Sequence, residues 1–295
     1  MIDRCCISIN EACDMRCKYC HFDIEGRRSR NPAKDDFDCL VDNIISYIGL
    51  HSMPQFKVGI VGGGEPMLRF DVLKHLVEKL ESCGSVKMYT ISNGLHLTDD
   101  QLDFLYLHRD SISFNVSLDG YQELHDLYRF DSSGRPTFDR IMDNIDRYED
   151  VFGSKPQINC TVTPNHILFR QELLDFFVSN GFNQVTFSRL FDSDDYVSEA
   201  DFNNLLAEAS RALSLRQIKN PQSFDCCKYG KRCGVGRTNV YFASGKAYPC
   251  ARFSGLSDYD LGSWSDSLDL IENRLHSLEV APIGVCYYDS KVVMS

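Results

Sequence analysis

Cys13, Cys17 and Cys20 are separated by three and by two intervening residues, which gathers three thiols into one short loop. Disulfides rarely persist in a reducing compartment, so thiols clustered this closely read first as metal ligands or redox groups. Three is an informative number. A 4Fe-4S cubane has four irons, and three thiolates leave one iron open to bind and polarise a substrate group, whereas a structural site is closed by a fourth ligand. The same residues admit two other readings. Cys17, Lys18, Tyr19, Cys20 and His21 spell the CxxCH pattern of c-type haem attachment, but no export signal precedes it and Cys13 is left unexplained. A zinc site of three thiols and His21 is chemically reasonable.

Further polar and glycine groups recur at intervals. Gly62, Gly63, Gly64, Glu65 and Pro66 join flexible backbone to a carboxylate that can accept from an ammonium, and the string is not the GxGxxG of a dinucleotide site. Ser92, Asn93 and Gly94 form a second group, and Ser117 to Gly120 followed by His125 to Arg129 a third. Each has a plain alternative, a tight turn for the first two and a solvated helix surface for Arg129.

These groups need elements to position them, and the periodicity supplies the elements. Cys5–Asn10, Lys57–Val61, Val86–Ile91, Ile112–Leu118, Gln157–Val162 and Gln184–Leu190 read as strands. Asp35–Leu50, Phe70–Cys83, Thr98–His108, Phe138–Phe152, Arg170–Asn180 and Ser198–Ile218 read as amphipathic helices between them. Alternating β-α units predict parallel strands with right-handed crossovers, hence an α/β fold with a wound sheet or a complete or partial barrel. The polar groups then fall after strand C-termini, where parallel sheets bind ligands.

Cx3Cx2C with an aromatic, Tyr19, before the last cysteine, following a first strand and joined in order by the other groups, resembles the signature of the radical S-adenosylmethionine (SAM) superfamily. The resemblance covers nearly the whole chain. It implies a partial parallel (β/α)6 barrel at residues 1–215, with Cys13, Cys17 and Cys20 holding a 4Fe-4S cluster. Gly63, Gly64 and Glu65 would lie at the amino group of SAM, Ser92 and Asn93 near it, and Ser117 and Asp119 by its ribose. Arg129 would meet its carboxylate, for which the fork of guanidinium donors is suited. Tyr19, Phe22 and Leu190 complete the expected cofactor contacts, while Val162 to Asn165, Ser188 and Arg189 fall at the same edge.

After about Leu215 the composition becomes rich in cysteine, glycine and tyrosine, with Asn220 and Pro221 at the junction. Residues 216–295 read as a small module with a hairpin, Thr238–Phe242 and Lys246–Pro249 around Ser244 and Gly245, and a short helix near Asp266–His276. Cys233, Gly245 and Cys250 resemble the opening of SPASM and Twitch extensions. That implies one auxiliary 4Fe-4S cluster held by Cys233, Cys250, Cys286 and either Cys227 or Cys226, with structural zinc or free thiols as the alternative. Cys39, Cys83 and Cys160 stand singly and read as small core residues.

A net charge of −11 argues against nucleic acid or an anionic membrane as partner. No run of about 18 apolar residues occurs, and the expected location is the cytoplasm. The resemblance implies reductive SAM cleavage fed by an electron donor such as flavodoxin or ferredoxin, and hydrogen abstraction from a peptide that is oxidised, crosslinked or epimerised. A cysteine loop starting at Cys13 leaves no room for a preceding peptide-recognition domain, so a recognition partner is expected to be separate or absent. The alternatives are a sugar or aminocyclitol dehydrogenase or epimerase, and a noncatalytic metal-binding scaffold. Asp192, Asp194 and Asp195 are expected as a solvated loop, or as groups that take a proton or bind a basic substrate.

Overall fold

The structure, a computed structural model, describes residues 1–20, 22, 31–190, 197–214, 222–224, 235 and 237–278. Six β-α units lie in chain order. β1 (Arg4–Ser8) leads to α1 (Asp36–Leu50), β2 (Phe56–Val61) to α2 (Phe70–Glu81) and β3 (Val86–Ser92) to α3 (Asp99–Leu107). β4 (Ile112–Ser117) is followed by α4 (Gln122–Tyr128) and α5 (Phe138–Phe152). β5 (Gln157–Val162) is followed by α6 (Pro164–Leu168) and α7 (Arg170–Ser179), and β6 (Val185–Arg189) by α8 (Glu199–Ser214). β1 to β6 pair in parallel, each with its successor, and β7 (Gln222–Phe224) extends the row beyond β6.

The elements form where the apolar periodicity placed them. On α1, Leu40, Val41, Ile44, Tyr47 and Ile48 make one buried stripe against the sheet. Cys39 sits beside that stripe and is exposed, which corrects its reading as a core residue; Cys160 is buried and Cys83 half-buried. The short helices α4 and α6 add to the six predicted ones; neither is long enough to show a helical period in the sequence.

The strands alternate rather than running apolar throughout. Ile158, Cys160 and Val162 of β5, or Val185 and Phe187 of β6, turn to the helices and are buried, while Asn159, Thr161, Thr186 and Ser188 are half-buried on the other face. Parallel sheets covered on both faces read as continuous apolar runs, so this polar alternation marks the inner face of a partial barrel.

The C-terminal hairpin, β8 (Asn239–Ala243) and β9 (Lys246–Tyr248), joins the same sheet. β8 pairs in parallel with β1, β9 returns antiparallel, and β10 (Gly262–Ser263) borders β9. The turn uses positive φ at Ser244 and Gly245. Helix α9 (Leu268–Ser277) locks this end onto α1: Tyr47 Oη donates to Glu272 at 2.6 Å, the N-terminal ammonium lies 2.7 Å from the same carboxylate, and Trp264 packs on Phe37.

One row across the inner face is set by a glycine. Tyr241, Cys6, Gly59, Tyr89 and Ser113 are register neighbours on β8, β1, β2, β3 and β4. A Cβ on Gly59 would stand 2.6 Å from the Tyr89 ring and 3.1 Å from Cys6 Sγ. Glycine inside a strand lowers its stability and so marks a close approach, here the Tyr89 ring lying over β2 to reach β1. We expect Gly59→Ala to destabilise the fold by about 1–3 kcal/mol through overpacking. The cost should shrink in a Tyr89→Ala background, measured by denaturant unfolding of both singles and the double; equal cost in both backgrounds would refute the steric account.

Candidate cluster and cofactor site at the strand C-termini

The cysteine loop is held by backbone on two sides. On one, Arg16 N–H donates to Phe130 O at 2.9 Å, Lys18 N–H to Tyr128 O at 2.9 Å, and Ser132 N–H to Asp14 O at 2.8 Å. The loop thus runs alongside the segment that carries Arg129. On the other, Gly64 N–H donates to Asn10 O and Glu65 N–H to Ala12 O, each at 2.9 Å. Asn10 adds side-chain bonds to Glu65 O at 2.7 Å and Ala12 O at 2.9 Å.

The glycines are accounted for by this second contact. A Cβ on Gly62 would lie 2.4 Å from Asn10 O, on Gly64 2.0 Å from Ala12 O, and on Gly63 2.4 Å from Glu11 Oε2 and 3.0 Å from the Phe22 ring. Two loops could not pack so closely with side chains between them. The glycine run therefore presses the β2 loop onto the residues that enter the cysteine loop.

Glu65 is 3% exposed, and both its oxygens are engaged inside the protein. Oε1 accepts from Met67 N–H at 2.9 Å and Ser92 Oγ at 2.8 Å, and Oε2 from Asn93 N–H at 2.7 Å. Burial pushes its pKa up to about 7 against these donors. Asn93 Nδ2 in turn donates to Asp14 Oδ1 at 2.7 Å. Glu65, Ser92 and Asn93 therefore form one brace between β2, β3 and the cysteine loop.

Asp119 is a second brace, completely buried. Its Oδ2 accepts from Arg129 Nε at 2.7 Å and from the Tyr19 hydroxyl, and its Oδ1 from Thr161 N–H at 2.8 Å. Its backbone is fixed as well. Asp119 N–H donates to His125 Nδ1 at 3.2 Å, so His125 carries its proton on Nε2 and donates to Thr137 Oγ1. Thr163 N–H donates to His166 Nδ1, leaving His166 Nε2–H to donate to Asp119 O at 2.9 Å. Burial drives the His125 pKa down to about 3 and lowers that of His166, so both are neutral wedges. Burial works to raise the Asp119 carboxyl, but the Arg129 charge and the neighbouring donors outweigh it and hold it low.

Arg129, 7% exposed, is thereby aimed at the cysteines: Nη1 lies 3.9 Å from Cys17 Sγ, and its guanidinium sits over the Tyr19 ring, 5.4 Å from the centroid. Cys13, Cys17 and Cys20 are all half-buried. Burial raises the Cys13 thiol to about 12, so binding iron requires the metal itself to displace the proton. Among the described residues no three His, Cys, Asp or Glu side chains gather as ligands of a single metal ion, so the three thiols do not form a preassembled mononuclear site. The donor set suits a cubane instead: three soft thiolates, a guanidinium beside them, and a close-packed glycine loop at their edge.

Of the other expected contacts, Phe22 packs over Gly63, Ser117 is half-buried beside Asn159 at the end of β4, and Leu190 is buried where its N–H reaches Val162 O at 3.0 Å. Cys250 is half-buried after β9, while His21, Asp192, Asp194, Asp195, Cys226, Cys227, Cys233 and Cys286 lie outside the described residues. The sequence reading missed Asn10, His125, Thr161 and His166. Only His125, inside a quoted motif, carried a signal.

A sequence profile described as the Radical SAM superfamily matches residues 7–154. A serine-type anaerobic sulfatase-maturating enzyme of Bacteroides thetaiotaomicron is 29% identical over 143 residues, which is 46% of this chain and 34% of the relative, so about a third of that protein's length is matched. A cysteine-type anaerobic sulfatase-maturating enzyme of Clostridium novyi is 26% identical over 289 residues, covering 85% of this chain and 73% of the relative. Among solved structures, native anSMEcpe with bound AdoMet and Cp18Cys peptide superposes with a TM-score of 0.73 at 17% identity, covering 92% of this chain and 80% of that one. Streptococcus suis SuiB bound to precursor peptide SuiA gives 0.74 at 17% identity, covering 95% and 67%.

Removing one member of the buried pair should be far more costly than trimming its periphery. We expect Asp119→Asn to destabilise the apoprotein by about 3–5 kcal/mol, because Arg129 is left buried without a counter-charge. Tyr19→Phe, which removes one bond to the carboxylate, should cost about 2 kcal/mol. Urea unfolding ranks them, and equal losses would contradict Asp119 as the hub.

Proposed function

Because this chain belongs to the radical SAM superfamily, we propose that it is a peptide maturase, modifying a side chain or backbone centre of a ribosomally made peptide. The observation that carries this reading is the three-thiol loop braced on one side by Arg129 and on the other by the glycine loop, within a fold that aligns over most of its length with peptide-bound structures. When bound, the cluster and SAM supply a 5′-deoxyadenosyl radical through one-electron cleavage of a carbon-sulfur bond.

The chain's own residues hold and shield. Cys13, Cys17 and Cys20 would supply three thiolates to the cluster. Arg129 keeps its charge in any environment, and with Nε committed to Asp119 and Nη1 against Cys17 Sγ, Nη2 is the nitrogen we assign to the SAM carboxylate. Both oxygens of Glu65 serve the loop brace, so the backbone carbonyls of the glycine loop are the groups we assign to the SAM amino group, with Glu65 holding them in place. Ser117 we assign to the ribose. Asp119 we assign as the positioning residue for Arg129 and Tyr19 rather than as a ribose contact. Rigid placement of this kind is the main catalytic contribution available to a protein whose cofactor does the bond breaking.

Residues 216–295 we read as a SPASM/Twitch-like extension after a core of residues 1–215, with Cys250, Cys233, Cys286 and Cys227 holding one auxiliary cluster. A flavodoxin or ferredoxin is the proposed electron donor. Among the described residues no helix is long and apolar enough to cross a membrane.

Anaerobic reconstitution with iron and sulfide, then dithionite and SAM, should yield 5′-deoxyadenosine, and Cys17→Ala should abolish it. Arg129→Lys, which keeps a positive charge beside Asp119 but loses the guanidinium fork, should weaken SAM binding while the cluster absorbance is retained. Product from the Cys17→Ala protein would remove the loop assignment. A rise in 5′-deoxyadenosine with added peptides carrying Cys or Ser, against none with aminocyclitols, separates the peptide reading from a small-molecule one.

A further inference from the structure

The middle row of the inner face holds a thiol between two phenols. Cys6 Sγ lies 3.3 Å from Tyr89 Oη, and Gly59 between them is the residue that lets the ring cross. On the other side Tyr241 is the register partner of Cys6. Tyr241 is 4% exposed, and its buried hydroxyl lies toward Ser8 without completing a hydrogen bond. A buried hydroxyl without a completed hydrogen bond is uncommon and costly.

Cys6 itself is half-buried on this face, one inward-facing position below Ser8, whose Oγ accepts from Gly63 N–H. At a strand rise of about 3.3 Å per residue, the thiol sits roughly 7 Å beneath the glycine loop. Burial pushes the Cys6 thiol up, and the adjoining sulfur together with burial pushes the Tyr89 phenol up. Cysteine acts as a nucleophile or metal ligand as thiolate, so a thiol held in its protonated form is suited to neither task. What it retains is a weak S–H bond beside a weak phenolic O–H bond.

We propose that Cys6, backed by Tyr89, is a hydrogen-atom donor that quenches a carbon-centred substrate radical over the middle of the barrel, closing the reaction without net oxidation of the substrate. This rests on the radical SAM reading and deepens it by naming the outcome, of which inversion at a C–H centre is the simplest case. The carbon radical takes the hydrogen atom of the S–H bond, giving C–H and a thiyl radical. The thiyl takes the hydrogen atom of Tyr89 O–H, restoring S–H and leaving a phenoxyl radical. One electron from the low-potential donor that serves the cluster, and one proton from solvent, restore the phenol.

The test needs no substrate. Reconstituted full-length protein is incubated with SAM and dithionite in D2O without added thiols, and the isotopic content of the 5′-deoxyadenosine is read by mass spectrometry. Water does not surrender a hydrogen atom to a carbon radical, so solvent deuterium in the product must pass through an exchangeable weak bond. We expect labelled 5′-deoxyadenosine from the natural protein, and a several-fold loss of label in Cys6→Ser and Cys6→Ala with the total amount maintained. Tyr89→Phe should keep the label but lose a phenoxyl signal in freeze-quenched paramagnetic resonance spectra. In the apoprotein the Cys6 S–H infrared stretch, taken as the difference from Cys6→Ser, should shift in Tyr89→Phe. Unlabelled product from the natural protein, or label that survives in both Cys6 variants, overturns the proposal. Absence of 5′-deoxyadenosine from every protein overturns the radical reading itself, and this inference with it.

Discussion

The buried ion pair of Asp119 and Arg129 is the constraint on which the site depends. A guanidinium this deeply buried is stable only with a counter-charge and satisfied donors. Asp119 supplies the charge and in doing so ties together groups from four places: Tyr19 in the cysteine loop, Arg129 at the end of α4, Thr161 on β5, and His166 on α6. Because each partner has a fixed geometry, the cysteine loop cannot shift relative to the barrel rim without breaking a charge-assisted bond. The pair thus converts a flexible loop into a rigid ligand set.

Glycine supplies the complementary constraint. Gly62 and Gly64 bring the β2 loop into backbone contact with Asn10 and Ala12, and Gly59 makes room for the Tyr89 ring. In these three places the missing side chain matters because another group fills its volume. None of the three has positive φ, so conformational freedom is not their reason for being there.

Much of the fold was legible because the alternation of strands and helices leaves a clear period in the sequence. All six barrel strands and the C-terminal hairpin fall within a few residues of where the pattern predicts them. What the pattern could not reveal was of two kinds. The helices α4 and α6 are shorter than two turns and show no period, and β8 reaches β1 through pairing that is remote in sequence. At the site, residue types and spacing pointed to the right loops but not to the partners within them. Glu65, Ser92, Asn93 and Asp119, expected as ligand contacts, spend their polar atoms largely on one another and on the chain. A sequence displays which residues can form hydrogen bonds, whereas which bonds they form is decided by packing between distant loops.

The distribution of charge across the barrel divides the labour. Asp14, Glu65, Asp119 and Arg129 lie at the strand C-termini, where charge can orient an ionic cofactor. The middle rows carry Cys6, Tyr89, Asn115, Ser117, Asn159 and Thr161, groups that are neutral, and below them Arg4, Lys57 and Lys87 form a basic row on the same face. A carbon radical carries no charge, so an ionised group beside it would contribute little stabilisation while adding water and a desolvation cost. The bonds that matter to it are those it can break. A neutral middle layer with weak S–H and O–H bonds, set between the charged rim and the basic row of Arg4, Lys57 and Lys87, therefore separates the binding of the cofactor from the fate of the radical.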